Sequence, residues 1–418
     1  MALPKLKAAA CHLAPVFLSA KQTTEKTIKF IDFAANKKAK LAVFPESSIP
    51  GFPYWSSILA PSQGHDFFKR IAEQSVYVDG EEISAIRRAA HQGRVMVSIG
   101  ISEKVRYSSA TLFNTNLIIG DEGQILVHHR KLMPTFFEKL TWAPGDGYGL
   151  RVADTQHGKI GALICGENTN ALARYAMMAQ GEQVHISTWP AIWPTRLPKK
   201  GETGPAVGNY DNVKANTTRA AAHCFEAKCF GIQCAGFLDQ ANIAGIAAMT
   251  EDPEQTMKIL SSYPQAATQF LDPDGQVMNN SLLYTLENRQ RNVACVRDEE
   301  GILIADLDLN KCVEGKQYHD VVGGYQRLDV FSLQINRKRL QPVTFNKVDD
   351  SGAPGNSPDI KFPHHPIPVE KQKDLGREGN LQQALKAQES SGSHVLFRPL
   401  YQNESLEFQV ASWFIVIM

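Results

Sequence analysis

Cysteine is sparse in this chain and dispersed along it: seven residues, Cys11, Cys165, Cys224, Cys229, Cys234, Cys295 and Cys312, with no C-x-x-C pair and an odd total. A chain of 418 residues needs no disulfide staples, and the five-residue spacings of "CFEAKCFGIQC" match no common zinc site. Excess charge is missing too. Lys and Arg number 44 against 43 Asp and Glu, a net charge of +1, which gives no electrostatic reason to seek nucleic acid. Long apolar runs are lacking: a spanning helix needs ~20 apolar residues, and the longest late run, "VASWFIVIM", is about half that. Lys5 and Lys7 precede an apolar stretch in the manner of a signal peptide, but His12 and Pro15 interrupt it. The segment reads better as a first strand over 6–12 followed by a turn. No internal repeat is found. The expectation is a cytoplasmic globular protein that binds neither nucleic acid nor membrane.

What the chain does have is core material, 43% hydrophobic residues, in alternating blocks. "LKAAACH" is strand-like. A helical pattern with Ile28, Ile31, Ala34 and Ala35 on one side follows it, then the strand "KLAVF". A helix is expected over 81–91, then strands at "VMVSIGI", "TLFNTNLII" and "QILVHHR". Further strands are expected at "KIGALIC", "EQVHIS", "FGIQCAG", "TQFLDPDG" and "GILIADLDL", with helices over 171–180 and 214–226 and a hairpin-type turn at 272–275. This alternation predicts an α/β protein whose sheet is covered on at least one face. After about residue 341 the texture changes. Residues 345–380 are rich in Pro, Gly and charge, which predicts a domain over 1–341 and an extended or disordered tail over 342–418.

Three strand ends carry ionisable groups. Cys165 closes "KIGALIC" and precedes a polar turn, a place where a sulfur is held rigidly yet remains accessible. Taken alone, it reads as a nucleophile or as a small core hydrophobe. Glu46 is the first ionisable group beyond "LAVFP". It reads as a general base or as a capping or surface carboxylate. Lys131 follows "QILVHHR" at a like position, and Glu138 comes seven residues later. His128 and His129 are adjacent on a strand and so point to opposite faces, which argues against a shared metal ion. Tyr54, Trp55 and Trp189 are the aromatic candidates for a pocket wall; they read equally as core.

Together these features resemble the nitrilase superfamily. "FPE", "HRKLMPT" and "CGENTN" match its three signature regions around a Glu-Lys-Cys triad, and "AQGEQVHISTWP" and "DEEGILIADLDL" resemble the nitrilase branch. The resemblance runs from about Leu6 to Ile335. Gly166 stands where many members carry tryptophan, and Ala171 where proline is common. The resemblance implies an αββα four-layer sandwich that pairs into αββα-αββα dimers and extends into spiral homo-oligomers. It further implies hydrolysis of a small organic nitrile to acid and ammonia with no metal or cofactor. Cys165 would be the nucleophile, Glu46 the base, Lys131 the electrostatic stabiliser, and Glu138 the second glutamate that positions water or tunes Lys131. A cyanide-converting enzyme or an aliphatic amidase would share the triad and differ in the pocket. A non-catalytic interaction protein on this scaffold would require a damaged triad, and here every member is present.

Truncation after Gln341 should leave the sandwich folded and change its assembly, because the tail carries little core while the apolar stretch over 394–418 can contact a neighbour. Size-exclusion chromatography with light scattering checks this. An insoluble product would contradict the boundary, and an unchanged mass would contradict the assembly role.

Overall fold

The computed structural model describes residues 3–199, 208–209, 211–285 and 289–343, all within one structural unit, Met1–Leu375. The tail expected from residue 342 onward lies, apart from its first two residues, outside the described residues. The chain order is β1 (Lys5–His12), α1 (Ala20–Asn36), β2 (Leu41–Val43), α2 (His65–Gln74), α3 (Glu81–Gly93), β3 (Met96–Lys104), β4 (Leu112–Ile119) and β5 (Ile125–Arg130). Then come β6 (Ala153–Thr155), β7 (Gly158–Ile164), α4 (Ala171–Met178), β8 (Val184–Trp189), α5 (Asn212–Ala227), β9 (Phe230–Ala235), α6 (Gln240–Ala247) and α7 (Pro253–Ser262). The rest is β10 (Thr268–Leu271), β11 (Ser281–Thr285), β12 (Gln290–Val293), β13 (Cys295–Val296), β14 (Gly301–Asp308) and α8 (Lys311–Glu314).

The strands form two mixed sheets, one ordered β12-β11-β14-β1-β2-β3-β4-β5 and the other β13-β10-β9-β8-β7-β6. Side-chain parity in β1 shows why they stack. Successive strand residues face opposite ways. Leu6, Ala8 and Ala10 enter a core shared with Ile160, Ile186, Phe230 and Ile232 of the second sheet. Ala9 and Cys11 pack instead with Phe30, Ile31 and Ala34 of α1 and Ile83 and Ile86 of α3. On the far face of the second sheet, Leu163 meets Ala173 and Met177 of α4, and Leu271 meets Ala220 and Cys224 of α5. The layers are therefore α, β, β, α, as expected. Each large apolar side chain buried in them contributes roughly 1.5–3 kcal/mol.

Expected helices over 81–91, 171–180 and 214–226 appear as α3, α4 and α5 within two residues at each end. The turn at 272–275 is present, with Gly275 at φ +75°. Helices α2, α6, α7 and α8 were not expected. Among the described residues no helix is long and apolar enough to cross a membrane. All seven cysteines are free and six are buried.

The parallel order β1-β2-β3 and the two antiparallel steps through β4 bring the carboxyl ends of β2 and β5 to one edge of the first sheet. In the second sheet β7 and β8 run parallel, so their carboxyl ends also coincide. The turn after β2 lies directly on β3: Phe44 donates to the Ser98 carbonyl at 2.8 Å and Ser102 to the Ile49 carbonyl at 2.7 Å. Only glycine fits beneath it at position 100, where a Cβ would sit 2.3 Å from the Pro45 oxygen and 2.5 Å from the Ser47 nitrogen. Gly100→Ala should therefore destabilise the fold by about 1–3 kcal/mol and displace Glu46, lowering turnover in the folded fraction. Denaturant titration and steady-state kinetics check both effects.

Candidate active site

The two strand edges meet at a buried cluster. Glu46 follows β2, Lys131 follows β5 and Cys165 follows β7, while Glu138 lies in the 3-10 turn Phe136–Leu140. The Lys131 ammonium donates to Glu46 Oε1 at 2.7 Å and to Glu138 Oε1 and Oε2 at 2.8 and 2.6 Å. All three side chains are fully buried. Ligand-type atoms of Glu46, Glu138 and Cys165 lie within 4.8 Å of one another, so all four expected residues converge. That trio could in principle hold a metal ion, but the Lys131 ammonium already occupies the space between the two carboxylates.

Local contacts hold each member in place. Asn114 of β4 donates through Nδ2 to Glu46 Oε1 at 2.7 Å, and its carbonyl accepts from the Lys131 backbone at 2.7 Å. Thr135 N donates to Glu138 Oε2 at 2.9 Å. One Glu46 oxygen is thereby saturated. The other, Oε2, is buried with no hydrogen-bond partner among the described residues. Cys165 opens the 3-10 turn Cys165–Thr169 with φ +50°, a left-handed conformation that costs a non-glycine residue on the order of 1–3 kcal/mol. The Glu167 carboxylate supports that turn, accepting from the backbones of Ile164 at 2.8 Å and Leu132 at 2.6 Å and bonding His129 Nε2 at 2.9 Å. Beside it, Gly166 leaves room for Thr135, whose Oγ1 would lie 2.6 Å from a Cβ there, so the space a larger residue would need is filled by threonine.

The electrostatics follow from burial. Burial alone would push the Lys131 ammonium down, but the negative charge that Cys165 would carry if ionised and the Glu138 and Glu46 carboxylates more than reverse this, and it stays protonated. For the Cys165 thiol, burial and then the Glu46 carboxylate push it well above the usual range, against the pull of Lys131 and Arg219. The resting sulfur is a neutral thiol that needs a base. Burial likewise raises Glu138 to about 7, with Lys131 opposing and Glu46 adding to the rise.

The aromatic candidates part company. Trp189 belongs to one small buried cluster with Cys165, Ile164, Ala235 and Ala266, and the Arg219 guanidinium lies 4.6 Å from its ring. Tyr54 accepts from Ala191 N at 2.9 Å and lies close enough to Glu46 for that charge to raise its hydroxyl further, after burial. Trp55 stacks on Phe67 of α2 with ring centroids 4.8 Å apart and lines a cavity of about 330 Å³ with Leu59, His65, Phe68 and Leu140, which reaches none of the four clustered residues. His128 and His129 bond different carboxylates, Glu103 and Glu167, each at 2.9 Å, as their opposite orientation requires. Asn114, Glu167 and Arg219 were not singled out from sequence. The one signal for Asn114 was a polar residue inside an apolar strand.

Residues 7–317 match the carbon-nitrogen hydrolase family. The chain belongs to that family. Within its nitrilase branch, the chain is 32% identical over 338 residues to a nitrilase of Paraburkholderia phymatum, covering 81% of this chain and 88% of the relative. It is 31% identical over 359 residues to a cyanide hydratase of Gibberella baccata, covering 84% and 92%. A carbon-nitrogen hydrolase of Helicobacter pylori G27 has a similar fold, with a TM-score of 0.53 at 18% identity over 75% of this chain and 92% of that one.

A carboxyl group raised in the folded state stabilises most below its unfolded value, and that contribution is lost as pH rises through the folded value. For Glu138, moving from 4.5 to about 7, the loss amounts to about 3 kcal/mol. The unfolding free energy of wild type relative to Glu138→Gln should therefore fall by about that much between pH 4 and pH 8. Urea titrations at several pH values check this, and a flat difference would contradict it.

Proposed function

We propose that the chain hydrolyses an organic nitrile to its carboxylic acid and ammonia through a covalent intermediate on Cys165. The observation that carries this reading is the arrangement around Glu46: Oε1 is pinned by Lys131 and Asn114, and Oε2 is buried, without a partner among the described residues, in a cluster with a neutral thiol. Glu46 takes the Cys165 proton as sulfur bonds to the nitrile carbon, and returns it to nitrogen to give a thioimidate. Lys131 stabilises charge developing at that centre. Water then adds as Glu46 removes its proton. Glu46 passes that proton and then the second water proton to nitrogen, the C–N bond breaks, ammonia departs, and a thioester carrying the water oxygen remains. A second water cleaves it, releasing the acid and restoring the thiol. Glu138 holds the ammonium in place and, at about 7, can hold or yield a proton near neutral pH.

Trp189 in the buried cluster with Cys165, Tyr54 near Glu46, and Phe137 stacked on Trp193 at 4.3 Å make an apolar, ring-lined surround, which favours a flat apolar substituent over cyanide itself. Met133, Phe136 and Leu140 are exposed around the Glu138 turn, which supports a homodimer or larger homo-oligomer formed over this face. Seven free cysteines favour a cytoplasmic setting.

A panel of aryl and alkyl nitriles, cyanide and amides, assayed for ammonia, acid and amide, tests the reading. Acid and ammonia from nitriles are expected; formamide from cyanide alone would replace it with the cyanide-converting alternative. Cys165→Ala should lose at least about a thousandfold in turnover while remaining folded. Activity above that level would exclude the covalent route.

A further inference from the structure

A second buried cluster lies behind the Cys165 turn, and the chemistry above does not use it. Glu182, His185 of β8 and His223 of α5 are all buried. His185 Nδ1 lies 3.0 Å from Glu182 Oε1, and His223 Nε2 lies 2.7 Å from Glu182 Oε2. On its other side, His185 Nε2 lies 2.8 Å from Asn168 Oδ1. Asn168 belongs to the turn that Cys165 opens, and its Nδ2 donates to the carbonyls of Cys165 at 3.0 Å and Leu163 at 3.3 Å.

These contacts fix the protons. Flipping the Asn168 amide would set its oxygen against two carbonyl oxygens, so Oδ1 must face His185, and Nε2 must carry a hydrogen to donate. Nδ1 faces a carboxylate oxygen. That carboxylate also accepts from His223, which favours its ionised form, so Nδ1 carries a hydrogen as well. His223 uses Nε2 toward Glu182 while its buried Nδ1 has no partner among the described residues, as in a neutral ring. The two rings stack with centroids 3.5 Å apart and planes 14° apart, tolerable for one cation beside one neutral ring and poor for two cations. Other charge nearby is paired: Arg174 of α4 bonds Glu226 of α5 at 2.7 Å. The donor set would also suit a metal ion, but a metal must lie in the plane of each ligating ring. Two nearly parallel planes at this separation do not meet within bonding distance of the nitrogens. The space was made for the carboxylate: a Cβ on Gly161, the β7 residue opposite His185, would lie 2.0 Å from Glu182 Oε1.

We propose that His185 is a positioning residue: an imidazolium locked between Glu182 and Asn168, it fixes the left-handed turn that presents the Cys165 sulfur. Asn168 is the link, since it grips the Cys165 carbonyl at one end and is itself held by His185 at the other. Cys165 departs from the left-handed conformation if that grip is lost, and the sulfur loses its alignment with Glu46. The inference rests on Cys165 being the nucleophile, a point the Cys165→Ala variant tests separately.

The test combines spectroscopy on wild type with kinetics on variants. In ¹⁵N-histidine-labelled enzyme, long-range proton–nitrogen correlation at pH 7.5 should show both His185 nitrogens protonated, with assignment from His185→Gln. A neutral ring would overturn the proposal. Kinetics are normalised to Cys165 sites titrated by iodoacetamide and counted by mass spectrometry, so that a merely structural loss does not register. His185→Gln and Asn168→Ala should each lower kcat per site by roughly 10–100-fold with KM little changed. The double variant should be no worse than the poorer single one, because both act through one path. If His185→Gln does not fold, Asn168→Ala, which leaves the Glu182–His185 pair intact, decides the kinetics. An unchanged kcat per site in Asn168→Ala, or fully multiplicative losses in the double variant, would overturn the proposal.

Discussion

One ammonium group, on Lys131, sets the terms for the rest of the site. It is fully buried and within 2.8 Å of three carboxylate oxygens, so it cannot be removed without leaving both carboxylates stranded in a dry interior. Deleting one partner of a buried pair costs about 3–5 kcal/mol, which makes the three side chains a single unit. Two carboxylates around one cation leave a net negative charge beside Cys165. That charge, with burial, keeps the sulfur protonated until a base acts. Saturation of Glu46 Oε1 by Lys131 and Asn114 leaves Oε2 as the oxygen available for that role.

The sandwich exists in a form that allows this unit to assemble. Glu46 and Lys131 come from one edge of the first sheet and Cys165 from an edge of the second, so the cluster depends on the apolar layer joining Leu6, Ala8 and Ala10 to Ile160, Ile186 and Phe230. Close approach decides the rest. Gly100 lets the Glu46 turn lie on β3, Gly161 clears space for Glu182, and Gly166 makes way for Thr135. None of these gaps can be filled without moving a polar group that the site uses.

Glu46, Lys131 and Cys165 stood out as reactive groups at or near the ends of apolar strands, but each alone had an ordinary structural reading, and it was the resemblance of all three motifs together to the nitrilase pattern that singled them out. Glu138 was singled out by family resemblance alone. Asn114, Glu167 and His185 were not legible, since their roles depend on register between strands distant in sequence and on which rotamer meets which carbonyl. Trp55 and Trp189 looked alike as aromatic candidates, and only tertiary packing separates the one stacked on Phe67 from the one clustered with Cys165. Helices α6 and α7 had a local signal, the capping carboxylates Asp239 and Asp252, each accepting from a backbone amide three residues on. The helix α6, QANIAGIA, is short and mostly small or apolar, so periodicity gave no clear face to read.

Lys131→Arg tests most directly whether a compact buried ammonium is what the site requires. The substitution keeps the charge and replaces a point donor with a planar fork that is wider than the space between Glu46 and Glu138. With folding verified by circular dichroism and Cys165 still present, kcat/KM for the best nitrile should fall at least about a hundredfold, as for loss of a donor aimed at developing charge. Kinetics within a few-fold of wild type would show that any buried cation serves, and that the geometry around the Lys131 ammonium is not what makes the site work.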